Sequence, residues 1–233
     1  MQTIKVGNFN IDVMHKEIKN VHLSVYPPTG RVTISAPSHM NTELLRIYAI
    51  SRIGWIKQQQ KKLLSQAREP VKEFVNRETH YFKGKRYLLK LEDNQPTNTV
   101  ELKHNKLIVK TKLQSNEEKT AKLIDKFYRI ELHKTIPNLI TKWTAILNVT
   151  ISAYGIKKMR TKWGTCNTLA KRIWVNVELA KKPIHCLEYI IVHELVHLLE
   201  RKHNDKFVAH LNRHLPNWRS IKQVLNELPV GVL

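Results

Sequence analysis

Acidic residues, cysteines and long apolar runs are scarce in this 233-residue chain. Its 19 Asp and Glu residues stand against 40 Lys and Arg, a formal charge of +21 with histidine neutral. The excess is not a basic tail, because it amounts to about +6, +7 and +8 over residues 1–75, 76–150 and 151–233. A field that diffuse attracts polyanions without specifying a base sequence. Nucleic acid is the obvious candidate partner, with acidic proteins or mere solubility as the plainer readings. No helix-turn-helix, zinc-ribbon or RNA-binding signature accompanies the charge. Two cysteines, Cys166 and Cys186, exclude a disulfide framework and suit small buried thiols. No apolar run reaches membrane-spanning length, and Met1-Gln2-Thr3-Ile4-Lys5 has no signal-peptide h-region. A cytoplasmic protein without a membrane partner is therefore expected. The sequence shows no internal repeat and no low-complexity tract, and its length suits one large domain or two small ones.

Against that background one short segment stands out: His193-Glu194-Leu195-Val196-His197, followed by His203. Histidines at i and i+4 share a helical face, so both imidazoles can converge on one Zn2+. Glu194 can then point to the open side of the metal and take a proton from the attacking water. The surrounding run, Ile184 to Leu199, is apolar on nearly every side and follows Pro183, which suits a first helical turn. A buried helix is expected, and buried polar side chains on it need partners that a metal can supply. The plain reading is a pair of hydrogen-bonded core histidines beside a salt-bridged glutamate.

A catalytic zinc requires a third protein ligand and an open position. His203 lies six residues beyond His197, so the helix must end first. Glu200-Arg201-Lys202 is the polar stretch where it can, and Asn204-Asp205 reads as a turn and cap for a further helix bearing Phe207, Val208 and Leu211. His203 is the expected third ligand, with Glu200, His210 and His214 as alternatives. The histidine spacing matches the metzincin pattern, but Glu200 stands where that group has glycine, and no methionine follows for a Met-turn.

Elsewhere the pattern predicts a strand–turn–strand unit over 21–36, a helix over 41–67 capped by Thr42, a β-turn-β over 81–89 and a hairpin over 99–111 around His104-Asn105. A loop is expected over 92–98, and a long helix over 117–147 with a kink near Pro137. Segments 159–166 and 172–179 read as two short strands around a polar turn.

The segments Lys162-Trp163-Gly164-Thr165-Cys166, Trp174-Val175-Asn176-Val177-Glu178-Leu179, His193 to His197 and His203-Asn204-Asp205-Lys206-Phe207 together resemble the YgjP-like (DUF45) metallopeptidases, relatives of the SprT and WLM zinc proteases. Lys162 and Thr165 depart from the family's Arg and Ser. The resemblance implies an α+β fold: an N-terminal β-rich module with a helix (1–113), a long linking helix, and a zincin-like, minigluzincin domain (114–233) with a small sheet and an HExxH helix. It implies a zinc endopeptidase with a protein or peptide substrate. An exposed strand edge within 172–179 would hold the peptide, with Arg160, Lys162, Trp163 or a tyrosine as candidates for the substrate and oxyanion contacts. Relatives acting on DNA-attached proteins suggest action near DNA. The alternative is a basic nucleic-acid-binding accessory protein whose zinc is structural; a general base at 194 argues against it.

Overall fold

The computed structural model describes residues 2–26, 29–65, 72–159 and 161–227. They form two compact units, one ending with the second helix and one beginning with the fifth strand. The first contains β1 (Gln2–Val6), β2 (Phe9–Lys16), β3 (His22–Tyr26), β4 (Arg31–Pro37), α1 (Thr42–Ser51) and α2 (Ile53–Ser65). The sheet order is β1-β2-β4-β3, with β2 and β4 parallel and both hairpins antiparallel. Alternation along β2 and β4 turns Ile11, Val13, Val32 and Ile34 onto Leu45, Ala49 and Ile56 of the helices. The helix expected over 41–67 is two helices, because Arg52 leaves helical geometry at φ −109°, ψ 6°. Asn41 rather than Thr42 is the cap, its side chain accepting from Leu44 N at 2.9 Å. Pro27 and Pro28 of the expected turn, and residues 66–67 of the expected helix, lie outside the described residues.

The second unit opens with β5 (Thr79–Phe82), β6 (Lys85–Glu92), β7 (Thr99–Lys103) and β8 (Lys106–Lys110). Their order, β5-β6-β8-β7, and their pairing senses repeat those of the first sheet. The chain thus contains a repeat of topology that its sequence conceals. The two-residue loops Gly7-Asn8 and Lys83-Gly84 close the equivalent hairpins. Then come α3 (Glu117–Leu147), β9 (Ala153–Lys157), β10 (Gly164–Asn167), β11 (Arg172–Asn176), a 3-10 turn at Val177–Lys181, α4 (Ile184–Val196), α5 (Asp205–His214) and α6 (Trp218–Glu227). Helix α3 has the predicted bounds and runs through Pro137. Thr120, Ile124, Tyr128, Leu132 and Ile136 line its buried face at four-residue spacing.

The division into units differs from the boundary expected at 113/114. Phe82, Leu89, Leu107 and Val109 of the second sheet share one core with α3, α4, α5 and α6. The tip of the β5–β6 hairpin also ties this sheet to the segment leading into α4. Lys83 N donates to Ala180 O at 2.8 Å and Gly84 N to Lys181 O at 3.0 Å. Gly84 has φ +79°, and a Cβ there would meet Pro183 Cγ at 2.7 Å, so glycine serves both the turn and the contact.

His80 on β5 is 4% exposed, with Nε2 3.0 Å from Glu78 Oε2. Burial pulls its pKa from 6.5 to about 4, against the opposing pull of Glu78. The unfolded chain therefore takes up this proton first. Stability from neutral His80, complete above about pH 6.5, should be lost as pH falls toward about 4. Urea midpoints across that window should fall more steeply for wild type than for His80→Gln; equal slopes would contradict the assignment.

Candidate active site

Helix α4 carries the site because it is almost wholly apolar. Leu187, Tyr189, Ile190, Ile191, Val192, Leu195 and Val196 are buried on it, which is worth about 1.5–3 kcal/mol for each fully buried large aliphatic side chain. Its regular part ends at Val196, with His197 as the C-cap, three residues before the expected end at Leu199. The chain then turns through Leu198 to Glu200, whose amides donate to Leu195 O and Val196 O. Asn204 caps α5 by accepting from Phe207 N at 3.1 Å. That turn brings His203 back toward α4.

The three predicted histidines lie together. One ring nitrogen from each of His193, His197 and His203 falls within 4.8 Å of the other two. The Nε2 atoms of His193 and His203 are 3.0 Å apart. A tetrahedral ion with bonds of about 2.0–2.1 Å separates its ligand atoms by about 3.3 Å, a value these spacings bracket. His197 Nδ1 lies 3.2 Å from Glu200 O; donation there leaves Nε2 unprotonated and free to bind a cation. Burial, aided by His197, His203 and Lys222, lowers the pKa of His193 to about 3, and burial lowers that of His197 too. Both imidazoles are thus neutral, the form that coordinates a metal. His193 Nδ1 is buried without a hydrogen-bond partner. The donor set and spacing fit a divalent ion held by three imidazoles.

Phe207 is the residue that sequence reasoning quoted without giving it a role. Its ring is 2% exposed and lies 4.7–4.9 Å, centroid to centroid, from all three imidazoles. The alternative ligands are elsewhere. His210 and His214 stack on each other at 6.3 Å along α5. Glu200 meets His197 through its backbone carbonyl, while its carboxylate accepts from Lys202 N.

Glu194 is 5% exposed. Burial raises its pKa to about 7, with Lys162 pulling the other way. Strand β10 crosses directly over it: a Cβ on Gly164 would lie 2.7 Å from Glu194 Oε1 and 2.9 Å from Ile190 Cγ2. Glycine at 164 is therefore what lets a strand approach the carboxylate. Strand β10 begins at Gly164 and not at the expected 159, and buried Asn176 instead pins the backbone of Met159, Lys162 and Trp163. The Asn176 side-chain amide donates to Met159 O at 2.9 Å and to Lys162 O at 2.8 Å, and its backbone N donates to Trp163 O at 2.9 Å. Its Oδ1 also accepts from Glu178 N, which turns the chain into the 3-10 segment and ends β11 early.

The small sheet has the order β10-β11-β9, with β11 antiparallel to β10 and parallel to β9. The exposed edge expected within 172–179 is thus absent, because β11 is paired on both sides. The edge facing the site is β10. An open cleft of about 600 Å3 lies between β10, α4 and α6, reaching His193, Glu194, His197 and His203. Lys162 and Trp163 line it, as does Tyr189; Arg160 lies outside the described residues. Trp163 also carries Lys182 Nζ 5.6 Å from its ring centroid.

Three imidazoles converging beside a buried carboxylate, under an edge strand and an open cleft, are the features of a metal-dependent peptidase. The family model for YgjP-like metallopeptidase domains matches residues 19–228, and the chain belongs to that family. Its class is accordingly that of the zinc metallopeptidases, which are hydrolases, and a peptidase role is favoured over a basic accessory protein. No curated protein sequence matches the chain. Similar solved structures include the metallopeptidase zymogen of Pyrococcus abyssi abylysin, at 17% identity over 42% of this chain and 100% of that one, with a TM-score of 0.38. The metallopeptidase zymogen of Methanocaldococcus jannaschii jannalysin is 24% identical over 39% of this chain and 92% of that one, with a TM-score of 0.35. Among the described residues, no helix is long and apolar enough to cross a membrane.

Gly164→Ala should cost about 1–3 kcal/mol by overpacking and push Glu194 or β10 aside. The expected outcome is a lower denaturation midpoint together with lost peptidase activity. Unchanged activity would contradict the close approach of β10 to Glu194.

Proposed function

We propose that the chain is a zinc endopeptidase in which His193, His197 and His203 hold the metal and Glu194 is the general base. The observation that carries this reading is the convergence of three imidazoles beside a buried carboxylate on the wall of an open cleft. Imidazole suits Zn2+, and three protein ligands leave the fourth position open. When bound, Zn2+ lowers the pKa of water and polarises a carbonyl.

The chain's own groups do the rest. The free edge of β10 pairs with an extended peptide and sets its carbonyl over the histidines. Glu194 takes a proton from the attacking water and passes it to the leaving amine. A carboxyl raised to about 7 can both accept and release that proton near neutrality. Among the described oxyanion candidates, Lys162 brings a cationic head to the cleft wall, near enough to act on Glu194. Association with nucleic acid rests on the +21 charge, and action near DNA on the family resemblance.

The test uses zinc-loaded protein and casein. Wild type should release fragments, and Glu194→Gln should keep one zinc while losing about 10²–10⁴-fold in rate. If wild type holds zinc but leaves casein intact, the reading fails. His203→Ala should lose stoichiometric zinc; full retention would move the third ligand to Glu200, His210 or His214.

A further inference from the structure

We propose that the cleft selects acidic peptide segments, with Arg201 and Lys222 receiving Asp or Glu side chains that flank the scissile bond and Lys162 adding to the same field. This rests on the peptidase reading above and names its substrate class.

The three cations come from three separate elements: the loop before β10, the turn between α4 and α5, and helix α6. All three line the cleft that reaches the histidines, and all three are exposed. None of them has a carboxylate partner among the described residues. Cations elsewhere in the same unit do, as in Lys181–Glu178, Lys142–Glu188 and Arg129–Asp125. Among the described residues, the single acidic side chain on the cleft wall is Glu194, which is buried. A peptide entering the cleft therefore meets positive charge from three directions and, among those residues, no exposed negative charge.

The geometry makes that field effective. Between the cleft wall and the side chains of a peptide seated against it, separations fall within the Debye length of about 8 Å at physiological salt, so wall charge reaches the peptide. Lys222 Nζ lies 5.7 Å from the Trp218 ring centroid, an aromatic face that holds its position. Walls of Ile190 and Leu225 limit solvent and focus the field. A peptide fits better than a nucleic acid strand because β10 offers unpaired backbone N–H and C=O groups along the same wall, which only another backbone amide chain can match in register.

The experiment measures binding and cleavage separately. Fluorescein-labelled peptides identical except for Glu, Ala or Lys on both sides of the central bond are titrated into zinc-loaded Glu194→Gln. The Glu peptide should bind roughly tenfold tighter than the Lys peptide, a few-fold for each charge, with the gap narrowing as salt rises. The exposed double reversal Arg201→Glu/Lys222→Glu should erase or invert the order. Equal binding, or a preference for Lys, overturns the proposal, as does single-stranded DNA that binds the cleft more tightly than the Glu peptide and displaces it. Cleavage of the same peptides by zinc-loaded wild type reports on the peptidase reading independently: if none is cut while the Glu preference in binding persists, that reading fails and the selectivity stands.

Discussion

Polar side chains buried on an apolar helix are the constraint around which the second unit is built. Helix α4 must be buried to fold, yet it carries Glu194 into the interior and two half-buried imidazoles beside it. Each would cost free energy if left unpartnered. The fold answers by ending the helix at His197, turning the chain so that His203 joins the pair, and laying Phe207 against all three rings. On the other side β10 covers Glu194 at a distance only glycine permits. The same enclosure that makes the carboxylate costly to ionise moves its pKa toward neutrality, where a proton carrier is useful.

Rigid supports hold this arrangement from several directions. Helix α3 contacts α4 through Glu188, which accepts from Trp143 Nε1 at 2.9 Å and Lys142 Nζ at 2.7 Å. It reaches β9 through Arg129, which donates to Ile156 O at 2.8 Å, and β5 through Tyr128 OH, which donates to Tyr81 O at 2.9 Å. Asn176 fixes the loop entering β10, and the Lys83-Gly84 tip fixes the entry to α4. The second sheet therefore belongs to the structural support of the site and not to a separate N-terminal module.

Local features were the legible ones. Helix α3 is legible because its buried positions recur every four residues from Thr120 to Ile136, and the histidine pair because i, i+4 spacing is a property of any helix. His203 was placed by the polar break and Asn204 cap that precede α5. What the sequence hid depends on pairing between distant segments. Strand β9 (Ala153–Lys157) lies parallel to β11 across a long connection, so no turn announces it. The exposed edge within 172–179 is what the family resemblance implies, and alternation marks a strand there without saying which of its sides is paired. The β1–β2 hairpin does leave a local trace, the Gly7-Asn8 turn signal. Gly164, Asn176 and Phe207 matter through contacts that only the folded chain creates.

The central claim is a metal held by three imidazoles from His193, His197 and His203. Zinc K-edge X-ray absorption on protein reconstituted with one equivalent of zinc tests it most directly. The account predicts a four-coordinate ion with three imidazole nitrogens at about 2.0–2.1 Å and one further light atom. Fewer than three imidazoles, or a sulfur at about 2.3 Å from Cys166 on the cleft wall, would contradict it.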